Sequence, residues 1–335
     1  MGKTRRRTDN KIKNKTIKKD TYFQNIVEIK GNISVNNIDN KTAVLINQEK
    51  KTKIELVKKF NTGKSGDYVY IIKEKKNKYV MKIFVNDKYP NNEIKLHYKH
   101  CEIFQTNMMV PKIFSSGTIN NVPFSEKLGD FNYIIMEYIA KSRDLSSYIQ
   151  KNCKSIEDKA IDSYKLALQL FYYLAMINKN KVKHCDMHTK NILIIKSKTD
   201  LILDFTFLNG NKINVGKFHI KIIDFGISES NKNCIKNRRI IGSVMNDIKT
   251  CNAFVIKDFI HIKKDALSML YRSFNKNFKP KYYINEDLYI FVKILRLLNL
   301  MTDKLNNVMI DEIEKLVTTN ETQLLLKKIY DILVL

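Results

Sequence analysis

Apolar and polar positions change rhythm partway along this chain. Up to Phe84 the apolar residues come in short runs: Ile54, Leu56 and Val57, then Tyr68-Val69-Tyr70-Ile71-Ile72, then Tyr79-Val80-Met81 and Ile83-Phe84. Such runs, rich in β-branched and aromatic residues and separated by the Gly-containing turn Phe60 to Gly66, predict strands. Asn92 to Phe104 is helical in pattern, and Val110-Pro111-Lys112-Ile113 leads from it to a further strand. Tyr133 to Ile139 reads as an interior strand running into a connector. Beyond Asp144-Leu145 the spacing is helical, with Ile161, Tyr164, Leu166, Leu168, Leu170, Phe171, Leu174 and Ile177 inside the stretch Ile156 to Asn178. Ile192 to Ile195 predicts a strand. Asp200 to Leu208 and the turn Asn209-Gly210-Asn211 predict an inserted hairpin near 199–219. Three amphipathic helices follow, around Glu286 to Met301, Ile310 to Val317 and Gln323 to Val334, read as core and surface. A strand-rich part followed by a helical part predicts the α+β class, in two lobes spanning 51–139 and 140–335.

Composition alters this picture mainly at the N-terminus. Residues 1–20 carry nine Lys and Arg against Asp9 and Asp20 and few apolar residues, which predicts a disordered basic tail. Residues 21–50 alternate weakly and suit short strands, with no readable role. Over all 335 residues, 60 Lys and Arg against 34 Asp and Glu give a net charge of +26. That charge favours polyanions, so weak polyanion or nucleic-acid contact through the tail is expected, with nuclear targeting as its sharpest reading. The abundance of Lys, Asn and Ile and the absence of Trp point instead to AT-rich coding, to which the larger share of the charge is assigned. The five cysteines are scattered, without Cys-x-x-Cys, and indicate reduced thiols rather than a zinc knuckle or disulfide framework. No apolar run approaches the length of a membrane span, and no signal-peptide core opens the chain, so an intracellular protein is expected. Gly2 does not open a myristoylation motif, because position 6 is Arg.

The chemistry lies in a short polar segment between the long helix and the strand at Ile192. It reads His184-Cys185-Asp186-Met187-His188-Thr189-Lys190-Asn191, and Ile223-Asp224-Phe225-Gly226 comes later. An Asp able to accept a hydroxyl proton, an Asn five positions on, and a second Asp followed by Gly are parts suited to ATP phosphoryl transfer. Asp204-Phe205-Thr206 mimics the second element but lacks its Gly. Gly63-Lys64-Ser65 imitates a nucleotide-binding P-loop, yet position 58 is Lys where that motif needs Gly, and a strand follows.

In order and spacing these elements resemble the protein kinase superfamily. The resemblance covers residues 54–226 well and the remainder loosely. It implies a bilobal fold, ATP and Mg²⁺ as cofactors, and a protein substrate. Within it Gly63 and Gly66 match the second and third glycines of the loop over the phosphates, with Asn61 at the first. Lys82 takes the place of the lysine that grips the α- and β-phosphates. Its partner is expected to be Glu93, which opens the helical run, with Glu102 as the rival. Met136 guards the back pocket, and Glu137, Tyr138 and Ile139 offer backbone groups to adenine. Asp186 is the base, with His188 beside it in the catalytic loop, and Asn191 and Asp224 hold the metal.

Two departures bear on the acceptor. Cys185 stands where Arg usually precedes the catalytic Asp, and His188 where Ser/Thr kinases commonly have Lys. Such a loop is similar to those of divergent Ser/Thr kinases of large DNA viruses, which implies host cytoplasm or virion as the location. It is also similar to small-molecule kinases acting on aminoglycosides, choline or sugars. The Ser/Thr protein kinase is the preferred expectation, and a non-enzymatic nucleic-acid binder rests on charge alone. After Gly226 the pattern degrades, and Asp258 or its rival Asp265 is expected to be the buried anchor of the next helix.

Overall fold

In the N-terminal part, alternation of buried and exposed positions produces a closed sheet. The computed structural model describes residues 31–48, 50–60, 67–85, 90–105, 108–152, 163–226, 229–230, 286–299, 305–317 and 322–334. Strands β1 (Ile33–Asn37), β2 (Thr42–Asn47), β3 (Lys50–Phe60), β4 (Tyr68–Glu74), β5 (Asn77–Phe84), β6 (Ile113–Asn120) and β7 (Asp130–Glu137) form a barrel in the order β1-β2-β3-β4-β5-β7-β6. Every pairing is antiparallel except the seam between β1 and β6, where Ile33 lies opposite Ile119 in parallel register. Inward residues at every second position, among them Leu45, Ile54, Tyr70, Ile72, Met81, Ile83, Tyr133 and Ile135, fill it.

The extension of unread role therefore supplies the two strands that close the sheet. A side chain at Gly117 would lie 2.1 Å from the carbonyl oxygen of Gly31, so glycine there permits the incoming backbone to cross β6. Polar side chains stitch the seam. Asn120 Oδ1 accepts the Val35 N–H, and Asn37 bonds the 122–125 turn at three points. Leu45 is wholly buried in the barrel. Leu45→Ala should lower stability by about 2–5 kcal/mol, read from urea unfolding. A change under about 1 kcal/mol would mean that β2 is not integral to this core.

Helix α1 (Pro90–Ile103) lies between β5 and β6 in sequence. The second lobe begins with β8 (Arg143–Asp144) and α2 (Leu145–Asn152), whose first turn Asp144 caps by accepting the Ser147 N–H at 2.8 Å. Helix α3 (Ser163–Lys179) is buried on nearly every side and packs on α4 (Glu286–Asn299), which packs on α5 (Asn307–Val317), followed by α6 (Thr322–Val334). Strands β9 (Val182–Lys183), β10 (Ile192–Lys196), β11 (Ile202–Asp204), β12 (Lys212–Asn214), β13 (Phe218–Ile222) and β14 (Glu229–Ser230) carry the intervening chain, β10 pairing with both β13 and β8. The inserted hairpin β11–β12 is tied into this lobe. Phe205 is fully buried against Phe171, Tyr172 and Tyr330. The molecule is thus α+β, with a β-rich N-terminal and a helical C-terminal lobe. Among the described residues no helix is long and apolar enough to cross a membrane.

Candidate active site

Lys82 lies on β5, facing Val69 across β4 and Ile134 across β7. Its ammonium meets both carboxylate oxygens of Glu93 in the first turn of α1, at 2.7 and 2.8 Å, and Asp224 Oδ1 lies 3.9 Å away. Burial opposes the charge on Lys82, but Glu93 and Asp224 outweigh it and raise its pKa. Glu102 lies exposed at the far end of the same helix, so of the two rivals Glu93 meets Lys82. Gly226 makes room for this cluster. A side chain there would come within 3.0 Å of Glu93 Oε2 and 3.4 Å of Asp224 Oδ1.

The catalytic-loop segment follows β9 and ends in a single 3-10 turn, Thr189–Asn191. The amide nitrogen of Asn191 donates to the carbonyl of Asp186 at 2.9 Å and reaches its Oδ2 at 3.4 Å, leaving the Asn191 side-chain oxygen as a donor for a cation. The Ile223 N–H donates to the Asn191 carbonyl at 3.0 Å, which sets the strand exit bearing Asp224 against this loop. Asp224 is half exposed and holds a left-handed backbone, φ 65°. His188 Nδ1 accepts the Lys190 N–H, and its Nε2 lies 3.9 Å from Asp186 Oδ2. The oxygen donors Asn191 and Asp224 suit Mg²⁺, which takes few protein ligands and completes its shell with water and phosphate. No cluster of three or more His, Cys, Asp or Glu able to hold a metal occurs among the described residues.

What anchors the loop was missed from sequence. Asp258 and Asp265 lie outside the described residues. The anchor is Asp287, at the start of α4, whose two oxygens accept the N–H groups of His184 at 2.7 Å and Cys185 at 3.0 Å. Burial pushes Asp287 up to about 6, against the pull of those two donors. The signal was present as the acidic pair Glu286-Asp287 opening the largely apolar stretch Leu288 to Leu298. Reading that run as an amphipathic terminal helix was the error, since it is buried on nearly every side. Cys185 itself is buried with φ 62°.

Three of the six histidines pack around Phe225. The rings of His97, His100 and His184 lie 4.6, 4.5 and 5.2 Å from its centroid. His184 donates through Nε2 to the Ile223 carbonyl and accepts the Asp186 N–H at Nδ1, the pattern of a neutral imidazole. Burial drives His97 and His184 down to about 4, and His100 further below the usual range. The unfolded chain therefore binds these protons near pH 6.5 while the fold resists them to about 4, so stability is lost as pH falls through that window. Asp287 works the other way between about 6 and 3.8, but it is one group against three. The melting temperature should fall between pH 7 and pH 5, by a slope approaching about 1.4 kcal/mol per pH unit for each net proton. A flat or rising midpoint would show that the imidazoles are charged in the fold.

The connector carries Met136 and Glu137 at the end of β7, then Tyr138 and Ile139, all partly buried. Gly63 and Gly66 lie outside the described residues. The structure thus brings together Lys82, Glu93, Asp186, His188, Asn191 and Asp224. A family model described as "Protein kinase domain" matches residues 54–246, more than half of the chain. Among solved structures, a crystal structure of a kinase domain is similar at 14% identity, over 84% of this chain and 94% of that one, with a TM-score of 0.41. No curated protein matches.

Proposed function

The chain belongs to the protein kinase superfamily and is a phosphotransferase, and we propose that it carries the γ-phosphoryl group of ATP to serine and threonine hydroxyls of proteins. The observation that supports this most is the meeting of the Lys82–Glu93 pair, Asp224, Asn191 and Asp186 at one site. Phosphoryl transfer needs positioning and charge neutralisation more than covalent chemistry by the protein. In this reading Asp186 accepts the proton of the substrate hydroxyl while its oxygen attacks the γ-phosphorus. The bond from that phosphorus to the β–γ bridging oxygen breaks, and ADP leaves. Lys82, held by Glu93, orients the α- and β-phosphates. Backbone groups of Glu137, Tyr138 and Ile139 take the adenine beside Met136. Asn191 and Asp224 would hold Mg²⁺, which when bound would neutralise charge on the phosphates.

Membership of this family implies protein substrates. The loop with Cys185 and His188, similar to that of divergent kinases of large DNA viruses, together with the Lys-, Asn- and Ile-rich composition, supports a virally encoded enzyme acting inside the host cell. The basic tail adds weak polyanion contact. One observation favours a second reading. His188 lies beside Asp186, as in the loops of small-molecule kinases. The two readings separate when purified protein and γ-labelled ATP are offered casein-like proteins and, apart from them, choline and an aminoglycoside. Label on phosphoserine and phosphothreonine is the expected result. Label on a small alcohol alone would replace the first reading with the second, and a protein that neither binds ATP nor transfers label would end both.

A further inference from the structure

The connector between the lobes is held by an ion pair that none of the roles above uses. Lys221 lies on β13, three residues before Asp224, and its side chain is only 5% exposed. Its ammonium donates to Glu137 Oε2 at 2.5 Å, across from the helical lobe to the last residue of β7. The same oxygen accepts the Lys112 N–H at 3.2 Å, and the Glu137 N–H donates to the Lys112 carbonyl at 2.8 Å. One carboxylate oxygen thus joins three segments: the entry to β6, the connector, and the strand that ends at the metal loop. The next residue of that strand, Ile222, donates its N–H to the Met109 carbonyl at 2.8 Å, which fixes the strand from the other side.

Such a pair is a poor stability device, since taking both charges from water costs about as much as their attraction returns. Its use is geometric. A nucleotide gripped at the adenine by residues 137–139 and at the phosphates near Asp224 spans the two ends of this strut. We infer that Lys221 is a positioning residue, which sets nucleotide affinity by holding the connector at a fixed distance from the metal loop through Glu137. This inference rests on the ATP-site reading given above. Lys221→Met keeps the apolar stem and removes the cation, leaving the Glu137 carboxylate, a third exposed, free to turn to water.

The test is the dissociation constant of Mg-ATP, by calorimetry, together with KM and kcat for the wild type, K221M, E137Q and the double variant. ATP affinity should weaken about tenfold in K221M, as expected when a substrate-positioning contact is lost. KM for the protein substrate should hold, and kcat at saturating ATP should fall by less than the affinity does. E137Q should match it, and the double variant should be no worse than either single, because both changes break one interaction. Unchanged ATP affinity in the single variants, or losses that multiply in the double, would overturn the strut. If K221M fails to fold, the isosteric E137Q decides alone. A wild type that does not bind Mg-ATP sinks the kinase-site reading and the strut with it, whereas a binding wild type with unaffected variants sinks only the strut.

Discussion

Asp186→Asn and Asp224→Asn are each expected to cut phosphoryl transfer by about 10²- to 10⁴-fold, the range for removal of a general base or of an electrostatic partner of the transferred group. The two should fail differently. Asp186 contacts the loop through its backbone and His184, so Asn at 186 leaves the fold and ATP affinity near wild type while turnover collapses. Asp224 stands half exposed beside Lys82, and Asn there weakens the Mg²⁺-dependent part of ATP binding as well. Steady-state rates with γ-labelled ATP, ATP titrations at two Mg²⁺ concentrations, and matching thermal melts separate these cases. Wild-type-like turnover by either folded variant would remove that residue from its assigned role.

The second large effect is expected at a residue that touches no substrate. Asp287→Ala removes both acceptors of the His184 and Cys185 N–H groups. Each buried donor left unpaired costs about 1–3 kcal/mol. Cys185 also holds a left-handed backbone that costs a non-glycine residue about 1–2 kcal/mol and persists only while its surroundings enforce it. With the anchor gone the loop can relax and carry Asp186 out of line, so kcat should fall at least about tenfold alongside a lowered melting temperature. Asp287→Asn keeps one acceptor and should fall between wild type and Ala on both measures. A stable, fully active Asp287→Ala protein would mean that the loop is held by other contacts.

These two expectations also mark how far the site was legible. Asp186 and Asn191 sit in one short polar segment and Asp224 in a second, and their order and spacing together carried the resemblance from which their roles were read. Lys82 was legible as a lone cation in an apolar strand. Its partner was read as Glu93, with Glu102 as the rival on the same helix, and packing decides between them by turning Glu93 inward and leaving Glu102 in water. Asp287 was illegible. Its bonds to positions 184 and 185 cross about a hundred residues, and no local pattern encodes a contact of that separation.

The chain by itself determined its local periods: strands up to Phe84, helices from Leu145, and an acid-bearing loop between α3 and β10. Period and turn chemistry are short-range properties, carried by neighbouring side chains and backbone sterics. Tertiary structure alone decided that β1 and β2 close the N-terminal sheet, since parallel pairing of β1 with β6 joins residues more than eighty positions apart. It also decided that the charged side chains of Lys293 and Arg296 lie buried, where Glu314 and Asp311 of the neighbouring helix meet them. A cation inside an apolar helix is tolerated only once the fold brings an acid to it, and nothing within the helix says that one will arrive.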